Sequence, residues 1–314
     1  MAKPIYAGSY NTRRGGRWKT VFIVIVIIQI VLVAAFLLYS KGKKTDGTEP
    51  APPVAVDTTE PTIAEPIPAP VIEKQASPEV QAAISDARSA LLAGQLADAK
   101  AKLDAIVSSS PDPDAIKLLG EVNMKLLKSP IMMPGKDYYA IQSGDYLRKI
   151  ALNHNTTVPL IKTMNGMETD TIRAGARLLV YSGNFSIRVS KSRNILDLMA
   201  DGKLFKRYSV GTGKFGKTPA VEFEIVDKIV EPPWTRPSDN KQIEYGDPEN
   251  VLGTRWMKIV SEEHPEITGY GIHGTWERDS IGQQSSAGCI RMLNEDVEEL
   301  FDLVPRKTPV IITE

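Results

Sequence analysis

Cysteine occurs once in this 314-residue chain, at Cys289, and histidine three times, at His154, His264 and His273. A lone thiol closes no internal disulfide, so it is either a small buried side chain or a reactive group. Three scattered imidazoles and one thiol make no zinc-type ligand set, and neither a metal nor a cofactor is expected. Net charge is missing as well: 38 Lys and Arg balance 38 Asp and Glu, so no global field attracts nucleic acid.

That balance conceals strong local differences. Residues 1–19 carry Lys3, Arg13, Arg14, Arg17 and Lys19 and no acidic residue. Val21 to Tyr39 is apolar throughout except Gln29, close to the roughly 20 residues a helix needs to span a bilayer. It is longer than a signal-peptide core, and no small-residue cleavage site follows. The expectation is an uncleaved signal anchor over 20–40, with a cleaved signal peptide as the alternative. The larger positive charge before the helix predicts a cytoplasmic tail, with everything after residue 40 outside, in periplasm or cell wall. Residues 41–78 are rich in Pro, Ala, Thr and Glu and poor in large side chains. They form no core, and an extended spacer of this length reaches on the order of 100 Å.

From Ser77-Pro78-Glu79, which reads as a helix cap, apolar residues recur at three- and four-residue steps: Ile84, Ala87, Leu91, then Leu96, Ala99, Leu103, Ile106. Gly94 separates the two helices, and a third stripe runs Ile116, Leu119, Val122, Leu126. The order Gly94, Ala99, Leu103, Pro111 resembles one tetratricopeptide unit. Residues 79–130 are therefore either a helical hairpin acting as a spacer or a surface for a protein partner.

Residues 137–182 read strand, helix, helix, strand. Gly144-Asp145 turns into a helix from Tyr146, Val158 to Met164 forms another, and Leu178 to Tyr181 returns as a strand. The GD-x-L at 144–147, the IA at 150–151, Asn165 and I-x-x-G-x-x-L from Ile172 closely resemble the LysM family. The resemblance implies binding of N-acetylglucosamine-containing glycan, such as that of peptidoglycan. The groove would lie between Gly144-Asp145-Tyr146 and the loop from Asn165 to Ile172. Asp145 also reads as a helix N-cap.

From 184 to 314 the chain reads as strands with one helix, Asn294 to Leu303, capped by Asn294. The expected class is thus a multidomain α+β chain: membrane helix, helical hairpin, βααβ module and mostly β catalytic domain. Its most informative stretch is GYGIHGTWERDSIGQQSSAGCIRM, in which His273 and Cys289 each adjoin glycine. An imidazole can take the proton of a thiol and hold the thiolate as an ion pair. Glycines let backbone N–H groups approach a reacting carbonyl. Taken alone, a buried thiol and a turn histidine remain the alternative.

IHGT at 272–275 and SAGCIRM at 286–292, with VGTGK at 210–214, TP at 218–219, PPW at 232–234 and LGTRW at 252–256, resemble the YkuD-type L,D-transpeptidases. The resemblance implies Cys289 as nucleophile, His273 as general base, the Gly274 carbonyl orienting the imidazole, and amides near Gly288 and Cys289 binding the oxyanion. It assigns Arg291, Ser286 and Tyr270 to substrate, with Arg291 either a carboxylate contact or a salt-bridged support. It further implies a thioester with the third residue of a peptidoglycan stem, transfer to an amine as a 3→3 cross-link, and acylation of Cys289 by carbapenems. Ala287 stands where many members carry His or Arg, and Val221 where they carry glycine. Hydrolysis of the same thioester, as an L,D-carboxypeptidase, and a non-catalytic tether between membrane and wall are the rival readings.

Overall fold

The computed structural model describes residues 77–314; the basic tail, the expected membrane helix and the Pro-rich segment up to residue 76 lie outside the described residues. Among the described residues no helix is long and apolar enough to cross a membrane.

Three helices come first: α1 (Pro78–Leu92), α2 (Leu96–Ser109) and α3 (Pro113–Lys128). Ser77 caps α1, its Oγ accepting from the Val80 amide at 3.3 Å, and Pro78 fills the first helical position. Asp112 caps α3 through the Asp114 and Ala115 amides at 2.9 and 3.1 Å. The stripes expected from sequence do converge, with Ile84, Ala87, Leu103, Ile106, Leu119, Val122 and Leu126 in one cluster. The free-standing spacer does not survive. Met124 and Leu127 of α3 belong to the core of the C-terminal domain, and the buried Asn123 donates to the Phe205 carbonyl at 2.8 Å. Gly120 makes this approach possible, since a Cβ there would stand 2.9 Å from Lys206 Cγ.

The next module pairs β1 (Lys136–Ala140) antiparallel with β2 (Arg177–Tyr181) around α4 (Leu147–Asn153) and α5 (Val158–Met164). Its own small core is Ile141, Leu147, Ile150, Ala151, Ile161, Leu178 and Val180. Here too the other face is spent inward: Leu160, Met164, Leu179 and Tyr181 join the C-terminal core. Thr157 Oγ1 donates to the Asp302 carbonyl across the same seam. Lys136, buried, lays its ammonium on the carbonyls of Leu126, Ser129 and Ile131 at 2.5–3.0 Å. A cation at a helix C-terminus answers the unpaired carbonyls there.

The C-terminal domain is built on an eight-stranded sheet. Its strands are β3 (Phe185–Ser190), β4 (Ile195–Ala200), β5 (Lys203–Ser209), β7 (Glu222–Val230), β10 (Arg255–Val260), β11 (Gly271–Thr275), β13 (Ile290–Leu293) and β14 (Pro309–Thr313). They run β13-β11-β10-β7-β14-β3-β4-β5, antiparallel except β11 with β13 and β14 with β3. Short pairs β6 (Thr212–Gly213) with β12 (Gln284–Ser286), and β8 (Trp234–Thr235) with β9 (Gln242–Ile243), hold loops at one end. Helix α6 (Asn294–Leu303) covers β10, β11 and β13, burying Val297, Leu300, Phe301 and Leu303. The expected cap by Asn294 is corrected. The residue before it, Leu293, takes the cap position, and Asn294 Oδ1 instead accepts from the Thr254 amide at 3.1 Å. Lys228 closes the far end of α6 on the Phe301 and Val304 carbonyls at 2.5 and 2.6 Å.

Candidate active site

The strand β11 carries His273 and the turn before β13 carries Cys289, and these two strands are parallel neighbours with His273 opposite Arg291. Both β11 and β13 went unread in the sequence, because Gly271 and Gly274 look like turn residues. They are glycine for lack of room. A Cβ at Gly271 would meet the Trp256 ring at 2.5 Å, and one at Gly274 would meet Asn294 Oδ1 at 2.1 Å.

His273 is 3% exposed. Its Nδ1 lies 2.6 Å from the Gly274 carbonyl. A carbonyl only accepts, so Nδ1 bears the proton and Nε2 keeps its lone pair. Burial pushes the imidazole down to about 4, and the Arg291 charge adds to that, against the opposite pull of the Gly274 and Leu252 carbonyls. The Trp256 ring lies 5.7 Å from the imidazole.

Cys289 is half-buried and unpaired. Its Sγ points to the Gly269 carbonyl at 3.7 Å rather than to the imidazole. Burial raises the thiol, with the Gly271 backbone and Arg291 pulling the other way. Both shifts favour neutral thiol beside neutral imidazole, so the ion pair that the sequence suggests is not the resting state.

The loop bearing the cysteine is tied from two sides. Ser286 Oγ donates to the Cys289 carbonyl at 2.7 Å and accepts from the Gly288 amide at 3.0 Å. Thr218 Oγ1 donates to the Gly288 carbonyl at 2.7 Å and accepts from the Gly213 amide at 2.8 Å. Ser286 is thus a loop support, and the Gly288 amide is committed to it. The Cys289 amide has no partner among the described residues and faces the position an oxyanion needs. Gly288 has φ +143°, and a Cβ there would stand 2.7 Å from Tyr270 Cε1. Tyr270 itself donates to the Lys217 carbonyl at 3.3 Å, bracing the same loop. Arg291 pairs with Glu277 at 2.8 Å, while its buried Nε is unpartnered.

These groups open into one cleft of about 710 Å³, lined by His273, Cys289, Arg291, Tyr270, Ser286, Ala287 and Gly288 on one side. Pro232, Pro233, Trp234, Val251 and Leu252 line the other. That second wall is the β8–β9 excursion, which sequence motifs marked without assigning it a role. It is pinned by the buried Asn250, whose Nδ2 donates to the Pro232, Ile243 and Glu244 carbonyls at 3.0–3.2 Å and whose Oδ1 accepts from the Leu252 amide at 2.9 Å. Nothing in the sequence pattern singled out Asn250. Val221 does not border the cleft; it packs against the core, and its carbonyl accepts from the Ile312 amide at 3.2 Å.

The glycan-binding candidates divide. Tyr146 is 58% exposed, and Gly144, at φ +83°, makes the turn before it. Asp145 is not the helix cap. Its carboxylate accepts from Tyr139 Oη at 2.7 Å, the Gln142 amide at 2.8 Å and Lys149 at 2.9 Å, which holds it low, at about 2. Asn165 is spent inside the module, donating to the Ile161 and Leu179 carbonyls and accepting from the Leu179 amide, all at 2.7–2.8 Å. Ile172 packs on the module core. Among the described residues no cluster of side chains is suited to a metal.

With this geometry in hand, comparison with known proteins is direct. The L,D-transpeptidase catalytic domain of the YkuD type matches residues 184–312, and the LysM domain matches 139–180. YqjB of Bacillus subtilis, named for L,D-transpeptidase activity, is 39% identical over 133 residues, 42% of this chain and 73% of YqjB. The similarly named YkuD proteins of Bacillus licheniformis and Bacillus subtilis are 33% and 32% identical, over 98% and 97% of their lengths and 56% and 55% of this chain. The chain belongs to the YkuD family of L,D-transpeptidases, with a LysM domain ahead of the catalytic one.

Proposed function

We propose that this chain is a peptidoglycan L,D-transpeptidase that works through a thioester on Cys289. The observation that carries the reading is the single cleft in which a thiol, an imidazole with its Nε2 lone pair free and an unpartnered Cys289 amide meet. The buried pair starts neutral. Nε2 of His273 takes the thiol proton as Sγ attacks the carbonyl carbon of the third stem residue. The carbonyl oxygen gains the charge and the Cys289 amide donates to it. Collapse breaks the C–N bond, and the imidazolium returns the proton to the departing D-alanine amine. The amine of a second stem then attacks the thioester and releases the thiol, forming the cross-link. Arg291, balanced by Glu277, supports the loop in the resting state and is close enough to the cleft to exchange that partner for a substrate carboxylate.

Binding of the LysM domain to glycan would hold the catalyst on its polymeric substrate, with Gly144, Asp145 and Tyr146 on one bank of the groove and the loop from Asn165 to Ile172 on the other. Residues 20–40 supply the membrane anchor in this reading and place the bulk of the chain outside the cytoplasm; the apolar run and its basic flank support that. Helix α3 is spent on internal packing, so a protein partner would have to use α1 and α2.

The test is incubation with purified disaccharide-tetrapeptide beside a Cys289→Ala control. Dimers formed only by the cysteine-bearing chain support transfer to an amine. Tripeptide without dimer would make the chain a carboxypeptidase, and no product from the folded chain would leave a tether.

A further inference from the structure

On the far side of the β8–β9 excursion, outside the catalytic cleft, lies a second depression of about 380 Å³, lined by Tyr245, Gly246, Asp247, Pro248 and Trp276. Trp276 is 57% exposed, an unusual position for the largest apolar side chain. The Tyr245 ring lies 6.5 Å from it, inclined at 42°, so the two aromatic faces form an open angle rather than a stacked pair. Asp247 anchors its own turn by one oxygen, Oδ1, which accepts from the Glu249 amide at 2.9 Å; Oδ2 has no protein partner among the described residues. Two ring faces and one free carboxylate oxygen suit a ligand that is apolar on its faces and hydroxylated at its edge. A pyranose is such a ligand, its C–H faces meeting the negative face of the rings and its hydroxyls the carboxylate.

The depression is continuous with the chemistry. Trp276 follows β11 directly, three residues beyond His273, a reach of about 10 Å along an extended chain. Glu277, the next residue, holds Arg291 of the catalytic cleft. Tyr245 to Pro248 belong to the same excursion whose other end, Val251 and Leu252, walls that cleft. In a stem peptide, three residues separate the glycan from the scissile carbonyl, also about 10 Å when extended. We infer that Trp276 and Tyr245 form a saccharide subsite of the catalytic domain, which grips the sugar carrying the donor stem while that stem lies in the cleft.

This inference rests on the transpeptidase reading for the identity of the donor, and the experiment separates the two. Wild-type and Trp276→Ala chains are assayed on disaccharide-tetrapeptide and on the free tetrapeptide. The subsite predicts KM for the sugar-bearing donor raised about tenfold, the factor equivalent to about 1.4 kcal/mol, with kcat little changed and both constants for the free peptide unchanged. Equal effects on the two donors, or none on either, would overturn it. In the Cys289→Ala chain, the indole N–H resonance of Trp276, assigned by its disappearance in Trp276→Phe, is followed during titration with the disaccharide-tetrapeptide. A shift with the sugar-bearing donor and none with the free peptide supports the subsite; an unmoved resonance refutes it, whether or not the wild-type chain turns either donor over.

Discussion

Thr218 is 1% exposed and makes two hydrogen bonds that hold Gly213 and Gly288 together across the base of the cleft. Thr218→Val keeps its shape and removes only the hydroxyl, leaving a buried amide and a buried carbonyl unpaired. Each unsatisfied group costs about 1–3 kcal/mol, so the loss of stability is about 2–4 kcal/mol. For a folded unit of this size each kcal/mol lowers Tm by roughly 2–4 °C, giving a fall of roughly 5–15 °C. The Gly288 carbonyl precedes the one amide that is free to meet an oxyanion, so kcat should fall as well, on the order of tenfold to a hundredfold by comparison with lost oxyanion donors. Thermal unfolding by circular dichroism and steady-state turnover below the lowered Tm read the two effects separately. Thr218→Ser retains the hydroxyl and should recover most of both. Wild-type turnover in Thr218→Val, or an equal defect in Thr218→Ser, would refute the assignment of this hydroxyl to positioning the cysteine loop.

Gly288→Ala places a Cβ 2.7 Å from Tyr270 Cε1 at φ +143°; turnover should drop at least about tenfold, given about 1–3 kcal/mol of local strain, while the circular dichroism spectrum stays native. The His273 imidazole is held neutral, down at about 4 against an ordinary 6.5, so the unfolded chain binds the extra proton between those values. Stability from this group is complete above pH 6.5 and declines as pH falls towards 4, by about 3 kcal/mol, a slope that His273→Gln should remove from denaturant titrations. Asn165→Ala should destabilise the LysM domain by about 2–3 kcal/mol through its lost backbone bonds. Tyr146→Ala should instead spare Tm and weaken co-sedimentation with peptidoglycan.

Local patterns in the sequence carried far. Helix α5 and helix α6 run over the expected residues, and His273 and Cys289 do enter one cleft. What escaped was set by contacts distant in sequence. The strands β11 and β13 hid behind glycines whose reason, the Trp256 ring and Asn294, lies on other elements. Asn294 and Asp145 stood at plausible capping positions, yet their side chains found partners at Thr254 and at Tyr139, Gln142 and Lys149. Likewise, the apolar residues of α3 and α5 predicted helices but not that each helix would share the C-terminal core. Asn250 gave no signal because one asparagine in a polar loop has no periodicity to betray it. The expected thiolate–imidazole pair failed for an electrostatic reason: burial of both groups favours their neutral forms.

The central claim is that Cys289 carries the acyl group. Intact-protein mass spectrometry of the full chain, quenched in acid seconds after mixing with a tetrapeptide donor, tests it without relying on any acceptor. The account predicts an added mass equal to the donor's acyl part without its terminal D-alanine, mapped to the peptide containing Cys289, removed by hydroxylamine and absent from Cys289→Ala. Cross-linked product formed by Cys289→Ala at the wild-type rate, or an acyl group mapped to another residue, would contradict it.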